Sequence, residues 1–172
     1  MAKKAKARPK KKLQARKAAP IPAGFHSVTS YLSIRDAGRA LDFYKKAFGA
    51  VELFRHTAPT GKIGHAEVRI GDTVVMLADV HPDSDAHGPA HYGGSPISLH
   101  MYVEDVDAVA RQAIAAGAKV KRPVADQFYG DRLGTFEDPF GHTWHISTHI
   151  EDVSGEELDR RAKAAMAQRK KR

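Results

Sequence analysis

A chain of 172 residues is long enough for one domain with its own core, and its complete lack of cysteine excludes disulfides, thiolate nucleophiles and sulfur-held zinc, so any metal must rest on histidine and carboxylates. No window approaches the ~18 consecutive apolar residues of a membrane span, and the lysine-rich N-terminus lacks the apolar run of a secretory signal, which points to a cytosolic protein. The net charge of +8 divides unevenly: residues 1–20 carry nine Lys or Arg and no acid, residues 151–172 carry seven basic and five acidic groups, and 21–150 hold 12 basic against 15 acidic residues, or −3.

Residues 1–24 are Lys, Ala and Pro with almost nothing to bury, so they predict a disordered basic tail. A strand follows over 28–34, where Val28, Leu32 and Ile34 alternate with Thr29, Tyr31 and Ser33. Asp36 is placed to cap a helix whose Ala37, Ala40, Leu41, Tyr44 and Phe48 recur at helical spacing, and Gly49 supplies a left-handed stop. Three strands are expected near 51–57, 64–70 and 73–79, with turns at Thr60-Gly61 and Gly71-Asp72. Residues 80–95, rich in His, Pro, Asp and Gly, read as a mobile loop of the kind that covers sites.

The order then repeats. A strand is expected over 96–103, Asp105 sits as the next cap, and Val106, Val109, Ala110, Ala113 and Ile114 form a helical face ending at Gly117. Strands near 118–122, 132–137 and 142–148 follow, the last two separated by a sharp turn at Asp138-Pro139-Phe140-Gly141. Aligning Ile34-Arg35-Asp36 with Val103-Glu104-Asp105 gives two βαβββ modules, 27–79 and 96–148, related by an approximate twofold. The fold class is α+β, with the modules cupping mixed sheet around a cavity in a domain spanning 25–153. Ser154 and Glu157 have capping-box spacing, so a basic helix with a thin apolar face is expected over 154–172.

Strand parity then sorts side chains by face. Apolar residues must face the helices, which leaves Tyr31, His65, Glu67, Arg69, Met76, Ser98, His100, Tyr102, Thr143, His145 and Ser147 on the opposite faces. That mixture is too polar for a dry core and suits the lining of a small-molecule cavity, against the simpler alternative of a solvated open sheet. Gln127 and Arg132, where a loop enters a strand, are further ligand-binding candidates, and an Arg there suits an anionic or carbonyl-bearing molecule. His81, His87 and His91 are expected in solvent, and His142, after a tight turn, is expected to bond backbone.

Four segments together carry a resemblance to a known family: YLSIRDAGRALDFYKKAFG at 31–49, IGHAE at 63–67, QFYGDR at 127–132 and DPFGHTW at 138–144. In this order they resemble the PhnB-like branch of the vicinal oxygen chelate superfamily, the glyoxalase, bleomycin-resistance and dioxygenase proteins, over residues 27–153. The resemblance implies the paired-module fold but not one reaction, because isomerases, dioxygenases, epoxide-opening transferases and drug binders share the scaffold. It also places the superfamily's metal-ligand positions on Thr29, Met76, Ser98 and His145, of which His145 alone suits a first-row metal. The usual ligands are therefore not kept, no cofactor is assigned, and a divalent metal is disfavoured. An offset site of His65, Glu67, His100 and His145 is the one arrangement left for it.

The leading reading is a glyoxalase-like protein binding a small organic ligand through Tyr31, His65, Glu67, His100, Tyr102, Gln127, Arg132 and His145. Were it a lyase-type enzyme, Glu67 or His65 would be the catalytic base. A second reading is non-catalytic sequestration of a drug or metabolite. The third is nonspecific nucleic-acid or polyanion association through the basic tail, which carries no interleaved aromatic to stack on bases. Homodimerisation is implied by the resemblance alone.

Overall fold

The computed structural model describes residues 18–169. Its elements run β1 (Ser30–Ile34), α1 (Ala37–Phe48), β2 (Val51–Thr57), β3 (Ile63–Ile70), β4 (Thr73–Asp79), a 3-10 turn (Pro89–Tyr92), β5 (Ser98–Tyr102), α2 (Val106–Ala116), β6 (Lys119–Asp126), β7 (Asp131–Glu137), β8 (Thr143–His149) and α3 (Gly155–Arg169). Both βαβββ modules are present. The disordered tail expected over 1–24 falls, for 1–17, outside the described residues, and 18–24 are exposed without helix or strand. The expected bounds move slightly: β1 and β5 are shorter than predicted, β6 extends to Asp126, and the 3-10 turn lies inside the expected loop.

Each module builds one mixed four-stranded sheet, ordered β1-β4-β3-β2 and β5-β8-β7-β6. In both, the first and last strands of the module pair in parallel, and the helix between the first two is the crossover. An offset of 69 residues relates the modules: it carries the Leu32–Leu77 pair to Met101–Ile146 and the N-cap Asp36 to Asp105. The caps are matched too. Asp36 accepts from Arg39 N at 3.2 Å and Asp105 from Ala108 N at 2.9 Å. A second group from the last strand reaches each helix start, Asp79 accepting from Ala37 N at 3.1 Å and Thr148 from Val106 N at 2.9 Å.

One hydrophobic core joins the modules, because the faces that cannot meet water all turn toward the two helices. Leu32, Ile34, Ala66, Val68, Val75 and Leu77 pack under α1, and Trp144 and Ile146 from β8 complete the same cluster. Of the expected helical face of α1, Ala37, Ala40, Leu41 and Tyr44 are buried and Phe48 is half-buried, and Phe43 and Ala47 widen it. Tyr44 and Phe48 of α1 reach across to Trp144, with ring centroids 5.6 and 4.7 Å away.

The DPFGH turn fastens this seam. Asp138 is fully enclosed, and its carboxylate accepts from Tyr44 Oη at 2.8 Å, Trp144 Nε1 at 3.0 Å and the backbone amides of Phe140 and His142 at 2.9 Å each. Burial alone would raise its pKa, but the His142 imidazole beside it and the Trp144 and Tyr44 donors more than offset that, and it is held below the ordinary aspartate value. His142 is itself buried, its Nδ1 has no hydrogen-bond partner among the described residues, and the ring stands 3.7 Å from the Asp138 carboxylate.

Candidate functional site

Strand parity delivers most of the expected side chains to the sheet faces opposite the helices, in two groups. On the first sheet, Tyr31 Oη lies 3.2 Å from His65 Nδ1, and His65 Nε2 lies 3.3 Å from Glu67 Oε1, so the three form a chain across β1 and β3. Phe54 of the edge strand approaches the same imidazole, with centroids 6.1 Å apart. Met76 stands beside Tyr31 and Glu67 in the strand register and is half-buried.

On the second sheet, the His100 ring stacks on Tyr102 at 4.8 Å and lies 5.8 Å from His145. Each imidazole has a hydroxyl partner: His100 Nε2 with Ser147 Oγ at 2.9 Å, and His145 Nδ1 with Thr135 Oγ1 at 3.0 Å. Burial, then the neighbouring His100 and Arg122, lower the His145 pKa, so it is neutral at physiological pH.

Two residues that the sequence did not single out anchor this second group. Asp131 is buried at the start of β7; it accepts from Tyr102 Oη at 2.9 Å and pairs with His149 Nδ1 at 2.8 Å, while His149 Nε2 meets Asp152 at 3.0 Å. The hydrogen bond to Asp131 raises the Tyr102 pKa, so the phenol stays protonated and its orientation fixed. Hydrogen bonds to Asp131 and then Asp152 raise the His149 pKa. The available signal was parity, which puts Asp131, like Thr135, on the face of β7 opposite the helices.

Arg132 lies one residue on and faces the helices instead. Its guanidinium is engaged by Asp107 of α2 at 2.7 and 3.0 Å and by Asp126 at 2.7 Å, so its charge is spent tying β7 to α2 and β6. Gln127 sits in the β6–β7 turn and donates to Ala125 O at 2.9 Å.

The positions implied for a metal do not converge. Ser98 is exposed on β5, Thr29 lies just before β1 and contacts His26 O at 3.5 Å, and the offset set His65, Glu67, His100 and His145 is divided between the two sheets. Among the described residues no three His, Asp or Glu side chains stand close enough together to hold an ion. The donor set present does not fit a catalytic metal centre.

The main cavity is a cleft of about 810 Å³ where the modules meet along β5. Phe48, Ile70, Val75, Leu99, Met101, Val103, Val109 and Trp144 make its apolar wall, while Ser30, Thr73, Ser98, His100 and Tyr102 supply polar groups and Asp72 the one carboxylate. Thus His100 and Tyr102 join the cleft to the polar face of the second sheet. His65, Glu67 and Tyr31 do not line it.

The family model for the glyoxalase/bleomycin resistance protein/dioxygenase superfamily matches residues 24–146. The uncharacterised protein Rv0887c of Mycobacterium tuberculosis is 42% identical over 135 residues, which is 77% of this chain and 79% of that protein. Among solved structures, TioX from Micromonospora sp. ML1 is similar at 27% identity with a TM-score of 0.57, covering 75% of this chain and all of that one. The At5g48480 product of Arabidopsis thaliana is similar at 26% identity and the same TM-score of 0.57, covering 72% of this chain and 98% of that one.

Proposed function

The chain belongs to the glyoxalase/bleomycin resistance protein/dioxygenase superfamily, and from that premise we propose that it binds a small, largely apolar and uncharged organic molecule in the cleft along β5, without a metal. The observation that carries this reading is the lining: eight apolar or aromatic residues facing five polar side chains and the single carboxylate of Asp72. That is the composition of sites that take up a ligand by desolvation and orient it with a small number of hydrogen bonds. Tyr102 and His100 are the orienting pair, held from behind by Asp131 and Ser147. Sequestration accounts for these features without assigning any proton transfer.

Nile red, an uncharged planar dye that brightens on leaving water, tests the proposal. Saturable uptake of about one dye per chain is expected, weakened roughly tenfold or more in Tyr102→Ala and in Leu99→Lys, on the scale of losing one well-packed aromatic contact or burying a charge. Unchanged uptake in both variants, with their circular dichroism intact, would overturn it. Dialysis against nickel or zinc supplies the contrary case: retention of one equivalent per chain would restore a metal-dependent lyase or oxygenase.

A second reading rests on the Tyr31–His65–Glu67 chain, in which Glu67 or His65 serves as general base toward a ligand on the first sheet. That face is open in one chain, with Tyr31 52% and Phe54 50% exposed, so a homodimer covering it belongs to this reading. Sedimentation equilibrium at micromolar concentration is expected to give a dimer, and a monomer would remove this reading.

A further inference from the structure

The second sheet carries a basic row beside the cleft. Strand pairing aligns four residues across it on the face opposite the helices: His100 of β5 beside His145 of β8, His145 beside Thr135 of β7, and Thr135 beside Arg122 of β6. Paired residues point to the same side of a sheet, so the guanidinium shares that face with both imidazoles. The two rings lie 5.8 Å apart, and Thr135 Oγ1 holds His145 Nδ1 at 3.0 Å. Of the four residues only His100 also lines the cleft.

Local backbone and electrostatics agree on where Arg122 points. The β6–β7 pairing slips on both sides of it, between Val120 and Arg122 and between Arg122 and Ala125. Such bulges turn a strand and re-aim the side chain it carries. Burial, then His100 and Arg122, lower the His145 pKa, while burial and Asp131 raise that of Tyr129 in the β6–β7 turn and Arg122 opposes them. One guanidinium acts on both groups, which puts it over the sheet face and not beyond the edge.

The carboxylates of this face are already engaged. Glu137 is taken by Lys119 and Lys121, at 3.7 and 3.0 Å, and Asp131 by Tyr102 and His149, at 2.9 and 2.8 Å. Among the described residues no carboxylate lies within ion-pair distance of Arg122, whereas Arg132 is held by two. Edge strands are kept from pairing with other chains by charge and proline, and Lys119, Lys121 and Pro123 already supply both on β6. The strand order makes Tyr31, Met76, Glu67 and Phe54 the matching row of the first sheet, with a carboxylate and no cation. The module's fold therefore does not require basic residues in this row.

We propose that the row of Arg122, His145 and His100 binds a small carboxylate anion, seated between the guanidinium and the two imidazoles, on the sheet face beside the cleft and not in it. The guanidinium fork matches the two oxygens of a carboxylate. Arg122 brings one standing charge, with the His145 ring neutral and the Thr135 hydroxyl uncharged, which suits a monoanion better than a phosphate carrying close to two charges. This site goes beyond the cleft reading and stands whether or not an apolar molecule occupies the cleft.

Acetate is the probe, being too small and polar to report on the apolar cleft. The imidazole NMR signals of His100 and His145 in the full-length protein are followed at fixed neutral pH while sodium acetate replaces sodium chloride at constant ionic strength. Saturable shifts at both rings are expected, with a half-point in the roughly millimolar range. Arg122→Gln should weaken binding about fivefold or more, and Arg111→Gln, which removes an equal charge from an exposed position on α2, should leave it unchanged. Both substitutions are at exposed positions, and backbone amide spectra check that each variant is folded. Shifts that do not saturate, or a half-point that Arg122→Gln leaves in place, would overturn the site. So would an equal weakening in Arg111→Gln, the mark of nonspecific charge attraction. Inorganic phosphate tests the ligand class, since tighter binding than acetate would overturn the carboxylate assignment. Nile red uptake by Arg122→Gln keeps the two readings apart: dye that still binds when the acetate site is lost leaves the cleft intact, and acetate that binds to a wild-type protein unable to take up dye leaves this site intact.

Discussion

At the scale of single residues, the most consequential polar group is Asp138, because a buried carboxylate that accepts four hydrogen bonds leaves every donor orphaned when it is removed. Tyr44→Phe removes one donor, from the opposite module, and is expected to cost about 1–3 kcal/mol in urea unfolding. Asp138→Ala should cost more, since Tyr44 Oη and Trp144 Nε1 would both lose their acceptor. His149 acts through charge instead. Its pKa is raised by Asp131 and Asp152, so its stabilising contribution is fully present below the unfolded histidine value of ~6.5 and is lost as pH rises through the folded value. Half-exposed, the pair is screened, so the expected signature is a pH dependence and not a large energy. The stability gap between wild type and His149→Gln should be widest below pH ~6 and shrink as the pH rises through the raised folded value, and a gap independent of pH would show that the ion pair contributes nothing.

At the scale of elements, the β6–β7 turn decides where Tyr102 is held, because Gly130 ends that turn immediately before Asp131. Gly130 has φ 95°, and a β-carbon there would fall far inside van der Waals contact with the Glu151 carbonyl oxygen, which is backbone and cannot yield. Its own carbonyl accepts from Ile150 N at 2.9 Å and Glu151 N at 3.0 Å, tying the turn to the chain leading into α3. Gly130→Ala is therefore expected to destabilise by about 2 kcal/mol or more and to loosen α3 together with the Asp131–Tyr102 contact. Loss of protection at 127–131 and 150–161 in hydrogen exchange would report both. Arg161 reinforces the same junction, with Glu151 at 2.7 Å on both oxygens and Glu157 at 2.7 Å. These pairs lie at the surface and only partly covered, so Arg161→Ala should cost less than the glycine change.

At the scale of the whole molecule, two copies of one module share a core, and the cleft opens where they meet along β5. The element order and the facing of five of the eight strands were legible in the sequence: alternation sent Leu32, Ile34, Trp144 and Ile146 inward and Tyr31, His65, His100 and His145 outward, Asp36 and Asp105 marked the helix starts, and the 69-residue offset marked the repeat. These are properties of residues near one another in the chain, where the pleat and the helical turn fix direction through backbone geometry. The tertiary structure alone decided which outward-facing groups meet. It divided the eight expected ligand-binding residues between the two modules, gave Arg132 to Asp107 across 25 positions of sequence, and set Asp131 behind Tyr102 across 29. Local periodicity fixes the direction of a side chain but not what stands opposite it; partners distant in sequence are chosen by how the packed helices and sheets bring their surfaces together.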